Sequence, residues 1–333
     1  MKRTTTLWAV FLCGAFLLTG SVGLAADFTL KVGYVVPESY PHHIAAVEVL
    51  KPFIEKESGG KIVVELYPNG QLGGDRQLCE AVQLGTVEMA FPSTTVLASF
   101  IPELQILDLP YLFSSKEQVY KVVDLNGPIG KVLVEKAKTQ GMFLLGFADI
   151  GFMSLTNSKH PIKKPDDTKG LKIRVMENPV YIDTAKAIGY NPTPMTFGEV
   201  YTALQQKVVD GQEQGINVTR NMKFHDVQKY FSLTEEAFST ISIIVSESFM
   251  DEIPDELKTI VVEGVRLFCE AQRKVNSDQE VSNLKELAEK GMEINSLTPE
   301  ERELFVKATE PVRQKYAGKI NPKLFEEIQI LIK

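Results

Sequence analysis

FTLKVGYVVPESYPHHIAAVEVLKPFIEKESGGKIVVELYP, Phe28–Pro68, contains one complete supersecondary unit. Its first ten residues alternate apolar and polar side chains until Pro37, which has no N–H to extend a ladder, so they read as a strand. The run HHIAAVEVLKPFIEKESGG repeats its apolar residues with the period of an amphipathic helix and stops at Gly59–Gly60. KIVVELYP then alternates as a second strand. Two strands joined through a helix cannot pair as a hairpin; they form a βαβ unit of a parallel sheet with covered faces.

Beyond Pro68, the loop NGQLGG (69–74) leads into the helix DRQLCEAVQL with Asp75 as its expected N-cap, and Gly85 turns the chain into the strand TVEMAFPS. A second set follows. GLKIRV (170–175) reads as a strand, NPVYIDTAKAIG as a helix, NPTPM as a strand or extended turn, and TFGEVYTALQQK as a helix entering VVDGQEQ. TALQQKVVDGQE aligns with EAVQLGTVEMAF at Ala81/Ala203, Gln83/Gln205, Val87/Val209 and Glu88/Asp210. Two similar α/β lobes are expected, with any ligand beyond the carboxyl ends of their strands. The proline-free run Asp255–Ile294 reads as one helix of about 55 Å, longer than a lobe, or as two helices broken near NSD, Asn276 to Asp278.

The chain opens with Lys2 and Arg3, an apolar run from Leu7 to Leu18, and small residues Gly23, Ala25 and Ala26, which is the pattern of a cleaved secretory leader, residues 1–26. Cys13 lies inside the apolar run rather than at a cleavage position, so no lipid anchor is expected. Removing the leader lowers the formal charge from −7 to −9 and removes Trp8, the only tryptophan. About 307 residues then remain, more than one core normally serves, and their acidity disfavours nucleic acid as a partner. Cys79 and Cys269 sit in apolar helical runs and read as buried thiols.

Catalytic signatures are missing: there is no Gly-x-Ser-x-Gly, His-Glu-x-x-His, Cys-x-x-Cys, Gly-x-Gly-x-x-Gly or phosphate-binding loop. The histidines are scattered, and the pair His42–His43 at a helix start reads as a solvated cap rather than a metal site. No metal and no cofactor are expected. In GLKIRV, Leu171, Ile173 and Val175 face one way and Lys172, Arg174 and Met176 the other. A mid-strand guanidinium is solvated, paired to a structural carboxylate, or aimed at an anionic ligand. An exported, acidic, two-lobed α/β protein without catalytic groups is best read as a binding protein that closes on a small molecule, an enzyme being the second choice.

The order PNGQLGGDRQLCEAVQLGTVEMAF, LTNSKHPIKKPDDTKGLKIRV, PMTFGEVYTALQQKVVDGQEQ and HDVQKYFSLT resembles the DctP-like solute receptors of tripartite ATP-independent periplasmic (TRAP) transporters across nearly the whole chain after the leader. The resemblance implies an α/β, two-lobed periplasmic binding protein with hinge strands and a long helix crossing both lobes. The expected lobes are residues 27–151 plus about 240–279, and 152–239 plus about 280–333. It implies a monomeric periplasmic receptor that hands an organic acid, unchanged, to membrane subunits driven by an ion gradient; a receptor feeding a sensor protein is the alternative. Arg174 is expected to bind the ligand carboxylate and Phe197 to pack on the ligand.

The chain departs from the family pattern where a second arginine is common, here Met153, and where Gln-Glu-Asn-Pro is usual, here Gln212-Glu213-Gln214-Gly215. Glu235 and Glu236 follow SLT. The expected ligand-binding set is Arg174, Phe197, Gln214, Met153, Glu236, Asp149 and Tyr34. With Met153 in place of a cation, the expected ligand is an aromatic or apolar monocarboxylate, an amino acid if Glu235 or Glu236 meets an ammonium, with C4-dicarboxylates as the alternative.

Overall fold

The computed structural model describes residues 26–333; the expected leader, apart from Ala26, lies outside the described residues. The strands are β1 Phe28–Gly33, β2 Ile62–Tyr67, β3 Met89–Ala90, β4 Met142–Asn157, β5 Lys172–Val175, β6 Asn191–Pro194, β7 Gly211–Gln214, β8 Tyr230–Ser246 and β9 Glu293–Ser296. They form one sheet in the order β2-β1-β3-β8-β4-β7-β5-β6, with β9 beside β8. The expected βαβ unit is present: β1 and β2 run parallel with Phe28 opposite Ile62. The helical stretch between them, Pro41 to Glu57, widens to a π-helical turn at Ala46–Leu50. Pro52 lies just beyond that turn; it lacks an N–H and its ring crowds the preceding carbonyls.

The two halves are mirrored about the β8–β4 pair. In the first half β1 lies between β2 and β3, and in the second β5 lies between β6 and β7. Side chains repeat the pattern. The Lys31 backbone N–H donates to Glu88 at 3.0 Å and the Lys172 N–H donates to Asp210 at 2.9 Å, so the aligned acids tie the same edge in each half. The turns before them carry Gly85 and Lys207, both with positive φ (72° and 59°). By the same register Arg174 occupies the place of Gly33.

β4 and β8 are long enough to serve both halves and pair antiparallel along most of their lengths. The pairing is irregular at Leu144/Gly146, Asp149/Gly151 and Met153/Leu155, and each bulge turns the following side chains to the other face. The helix Asp255–Glu289 is unbroken through residues 276–278 and ends at Glu289, short of Ile294, where Gly291 (φ 93°) turns the chain into β9. Its buried polar residues hold it across the hinge. The Gln272 amide bonds both backbone groups of Asp149 at 2.8 Å, and the Asn217 amide donates to the Asn276 carbonyl at 2.7 Å.

The C-terminal segment does not follow the second lobe. Leu324 and Ile328 share a core with Leu104, Val119 and Ile129 of the first half. The helix Pro299–Ile320 bridges, placing Phe305 in the core of Leu171 and Tyr181, and Val312 and Tyr316 in the first-half core. Apolar faces at both ends of one helix, rather than chain order, decide its position. Cys79 and Cys269 are buried free thiols, as expected. Among the described residues no helix is long and apolar enough to cross a membrane.

Candidate functional site

A cavity of about 610 Å³ lies between the halves, near the carboxyl ends of β1, β3, β5 and β7. The first half contributes Tyr34, Tyr40, His42, Phe91 and the loop Asn69–Gly74 with Asp75. The second contributes Arg174, Met176, Met195, Phe197 and Gln214, and Ile150 and Ile241 line it from the shared strands. Open α/β sheets bind ligands at this end because the loops there are not tied into the ladder and the strand ends converge.

Arg174 is 2% exposed. Its Nε and Nη2 both donate to the Met195 carbonyl, at 3.0 and 2.9 Å, which holds one edge of the guanidinium against the strand. Nη1 has no partner, and Arg174 forms no ion pair among the described residues. Burial lowers its pKa to about 10, opposed by Glu213, Asp75 and Glu177. A buried guanidinium beside the cavity with Nη1 unpartnered among the described residues has the donors that an anion with two coplanar oxygens requires.

The remaining expected residues divide. Phe197, half-buried, Gln214, at 4% exposure, and Tyr34 join Arg174 on the wall. Tyr34 stacks on Phe91 (centroids 5.5 Å) and its hydroxyl is engaged with His43 Nδ1 at 2.7 Å. Met153, Glu236 and Asp149 do not line the cavity. Met153 is fully buried in the core of Leu155 and Ile173, because the β4 bulges change which face it presents. Asp149 accepts from Tyr120 at 2.5 Å within the hinge. Glu236 is buried in the second half, where it accepts from Thr234 and lies within hydrogen-bonding reach of Glu213, itself bonded to Tyr190. Burial raises both carboxyls, Glu213 to about 7, and the second carboxylate raises Glu236 further. Glu235, expected with it, also lies off the wall.

Several wall groups escaped the sequence reading. Asp75 is the first residue of its helix rather than the cap, which is Gly74. Its carboxylate instead accepts from the Ser93 N–H at 3.3 Å, and burial raises its pKa to about 6. His42, read as solvated, is 1% exposed, and burial lowers its pKa to about 3, so the ring is neutral. A usable signal was the strand-end rule: Tyr34, Phe91 and Met176 each immediately follow β1, β3 and β5. Among the described residues no group of His, Cys, Asp and Glu is arranged to hold a metal.

Comparison with known proteins identifies the family. The family model for bacterial extracellular solute-binding protein, family 7 (DctP), matches residues 32–319. Three solved structures, each a TRAP periplasmic solute-binding protein, superpose along nearly the whole chain. The Polaromonas sp. JS666 protein, bound to D-erythronate, is 36% identical with a TM-score of 0.87, covering 91% of this chain and 98% of that one. That of Sulfurospirillum deleyianum, with succinate, is 33% identical with a TM-score of 0.87 and coverages of 92% and 100%. That of Bordetella bronchispeptica, with density assigned as pantoate, is 34% identical with a TM-score of 0.85 and coverages of 90% and 98%. The chain belongs to family 7 of the bacterial extracellular solute-binding proteins, the DctP-like receptors of TRAP transporters.

Proposed function

We propose that the protein, exported to the periplasm and freed of its leader, closes over a small organic monocarboxylate anchored by Arg174 and passes it unchanged to TRAP membrane subunits. The observation that carries this reading is the unpartnered Nη1 of a buried guanidinium on the cavity wall. An uncompensated buried charge is costly, and a bound carboxylate removes that cost with charge-assisted bonds.

Charge on the wall favours one carboxylate over two. Arg76 also lines the cavity, but its guanidinium is turned to Glu80 at 3.1 Å and lies over Phe100. Asp75, Glu177 and Glu199 share the wall and repel a second anionic end. Tyr34, Phe91, Met176, Met195 and Phe197 offer an apolar surface to the rest of the ligand. Met153, Glu235 and Glu236 lie off the wall and select nothing, so a ligand ammonium would have to meet Asp75 or Glu177 instead. Apolar, branched or aromatic monocarboxylates, amino acids included, are the lead class. C4-dicarboxylates are the second reading, favoured by the succinate of the Sulfurospirillum relative.

Calorimetric titration with pantoate, D-erythronate, 3-phenylpropionate, leucine and succinate tests the class. At least one monocarboxylate should bind, and native mass spectrometry should recover it with its mass unchanged. Binding of succinate alone overturns the single-carboxylate reading, and recovery of a transformed molecule overturns the receptor reading.

A further inference from the structure

We propose that binding of the ligand carboxylate at Arg174 draws a proton onto the buried carboxyl pair Glu213–Glu236, so that affinity rises as the pH falls. The inference rests on the carboxylate reading above and adds a linked proton to it.

Glu213 follows Gln212, the register partner of Arg174 on β7, and precedes Gln214, which lines the cavity. Glu236 approaches it from β8, and each carboxyl is 1% exposed. Glu213 accepts from the Tyr190 hydroxyl and Glu236 from the Thr234 hydroxyl. The other oxygen of each, Glu213 Oε2 and Glu236 Oε1, has no donor among the described residues. The two carboxyl groups nevertheless lie within hydrogen-bonding reach of each other. A proton between them supplies the missing bond, because two carboxylates in contact do not both stay ionised out of water. Tyr190 and Ala237, on either side of the pair, belong to the core of Met153 and Ile173, so the pair sits at the edge of an apolar core rather than in solvent.

The charged and titratable groups around the pair are Arg174 from β5, Tyr181 from the helix Pro179–Ile188, Tyr190 before β6, Tyr111, and Glu235 next along β8, with Arg302 over the Tyr111 ring. Arg174 is the cation that acts on Glu213, and Glu213 is the foremost charge acting on Arg174. With Nε and Nη2 bonded to the Met195 carbonyl, Arg174 acts through its field rather than as an ion pair. Burial raises Glu213 to about 7 and Glu236 well above the usual carboxyl range, so near neutral pH the pair passes between two protons and one. A ligand carboxylate at Arg174 cancels the field that favours ionised Glu213, and the proton returns. The bound protein thus holds more protons than the empty one. Affinity is full below about pH 7 and declines as the pH rises through the range in which the empty pair releases its proton.

The test is calorimetric titration with pantoate, D-erythronate and succinate, at about pH 7.5 in phosphate and in Tris, whose ionisation heats differ, and again at about pH 6 and 8.5. An acid that binds should take up about half a proton at pH 7.5 and bind roughly threefold to tenfold more weakly at pH 8.5 than at pH 6. In Glu213→Gln, which carries no charge at any pH, uptake should vanish and affinity at pH 8.5 should match that of the native protein at pH 6. In Glu236→Gln the amide keeps a donor to Glu213 without a proton to share, so Glu213 stays ionised and the profile should flatten at the weaker affinity. A purely structural role would not set the two variants on opposite plateaus, and if one does not fold, the other is read by its own plateau. Asp75 on the wall, raised by burial to about 6, also feels Arg174; Asp75→Asn should keep the uptake at pH 7.5. Native binding without proton uptake, uptake that persists in a folded glutamine variant, or uptake lost in Asp75→Asn overturns the linkage. Arg174→Ala separates the two readings. Binding that depends on Arg174 but takes up no proton refutes only this inference, whereas binding indifferent to Arg174→Ala, or no acid binding, refutes the carboxylate anchor and this inference with it.

Discussion

Replacing Arg174 with alanine should weaken ligand binding far more than it weakens the fold. In the native protein Nε and Nη2 grip the Met195 carbonyl, and on the proposed reading the remaining edge of the guanidinium meets the ligand carboxylate. Truncation leaves that carboxylate buried without its cation, a loss of about 3–5 kcal/mol, or roughly a hundredfold to several thousandfold in Kd. The same change removes an orphaned buried charge from the empty protein along with two bonds to one carbonyl. Those terms oppose one another, so the empty protein should lose no more than about 1–2 kcal/mol. Arg174→Lys keeps the charge but cannot hold both the Met195 carbonyl and a two-oxygen ligand, and should cost about 1.5–3 kcal/mol of affinity. Calorimetric titration, with a thermal melt of each variant to check folding, reads both effects. Near-native affinity in a folded Arg174→Ala protein would show that this cation does not hold the ligand, and a lysine variant weaker than the alanine one would contradict the role given to its charge.

Glu213, Glu236 and Asp108 are carboxyls whose pKa burial raises, Glu213 and Asp108 to about 7. The folded chain therefore keeps protons that the unfolded chain releases; this contribution is complete below the ordinary carboxyl range and is lost as pH rises through about 7. The melting temperature of the empty protein should fall between about pH 5.5 and 8.5, less steeply in Glu236→Gln, and a flat or rising profile in the native protein would contradict the assignment. Gln272→Leu strips both Asp149 backbone groups of their buried partners and should destabilise by about 2–4 kcal/mol in denaturant titration; a change under about 0.5 kcal/mol would show that the clamp is slack. Since both halves line the cavity, saturating ligand should shift the hinge population toward a more compact form, seen as a smaller radius of gyration by small-angle scattering; equal radii with and without ligand would count against closure.

Local chemistry was the legible part of this protein. Gly59–Gly60 and Gly85 punctuate the chain just past the ends of their helices, whereas β1 stops at Gly33, four residues short of Pro37; the alternation of β5 put Arg174 on the face opposite Ile173 and Val175, where the cavity lies. The short echo between residues 80–91 and 202–213 marked equivalent helix-to-strand passages in the two halves. Illegible features depended on register and on distant partners. Met153 sits beside a bulge, so counting alternate residues along β4 gives the wrong face. Glu235 and Glu236 resemble a solvated acidic pair, yet β8 leaves its β4 partner there and returns, with Glu235 at φ 49° and the Glu236 carbonyl accepting from the Tyr111 N–H at 2.6 Å. His42 and Tyr40 flank a helix start and look like cap residues. Only the rest of the molecule, folded against them, removes them from water.

Whether the free edge of Arg174 receives the carboxylate of the transported acid is decided by a crystal structure of the protein with its tightest-binding acid. One ligand carboxylate is expected within about 3.2 Å of Arg174 Nη1, with the Met195 bonds retained and no second carboxylate on the ligand. A carboxylate held elsewhere in the cavity, with Nη1 meeting only solvent, would contradict the assignment.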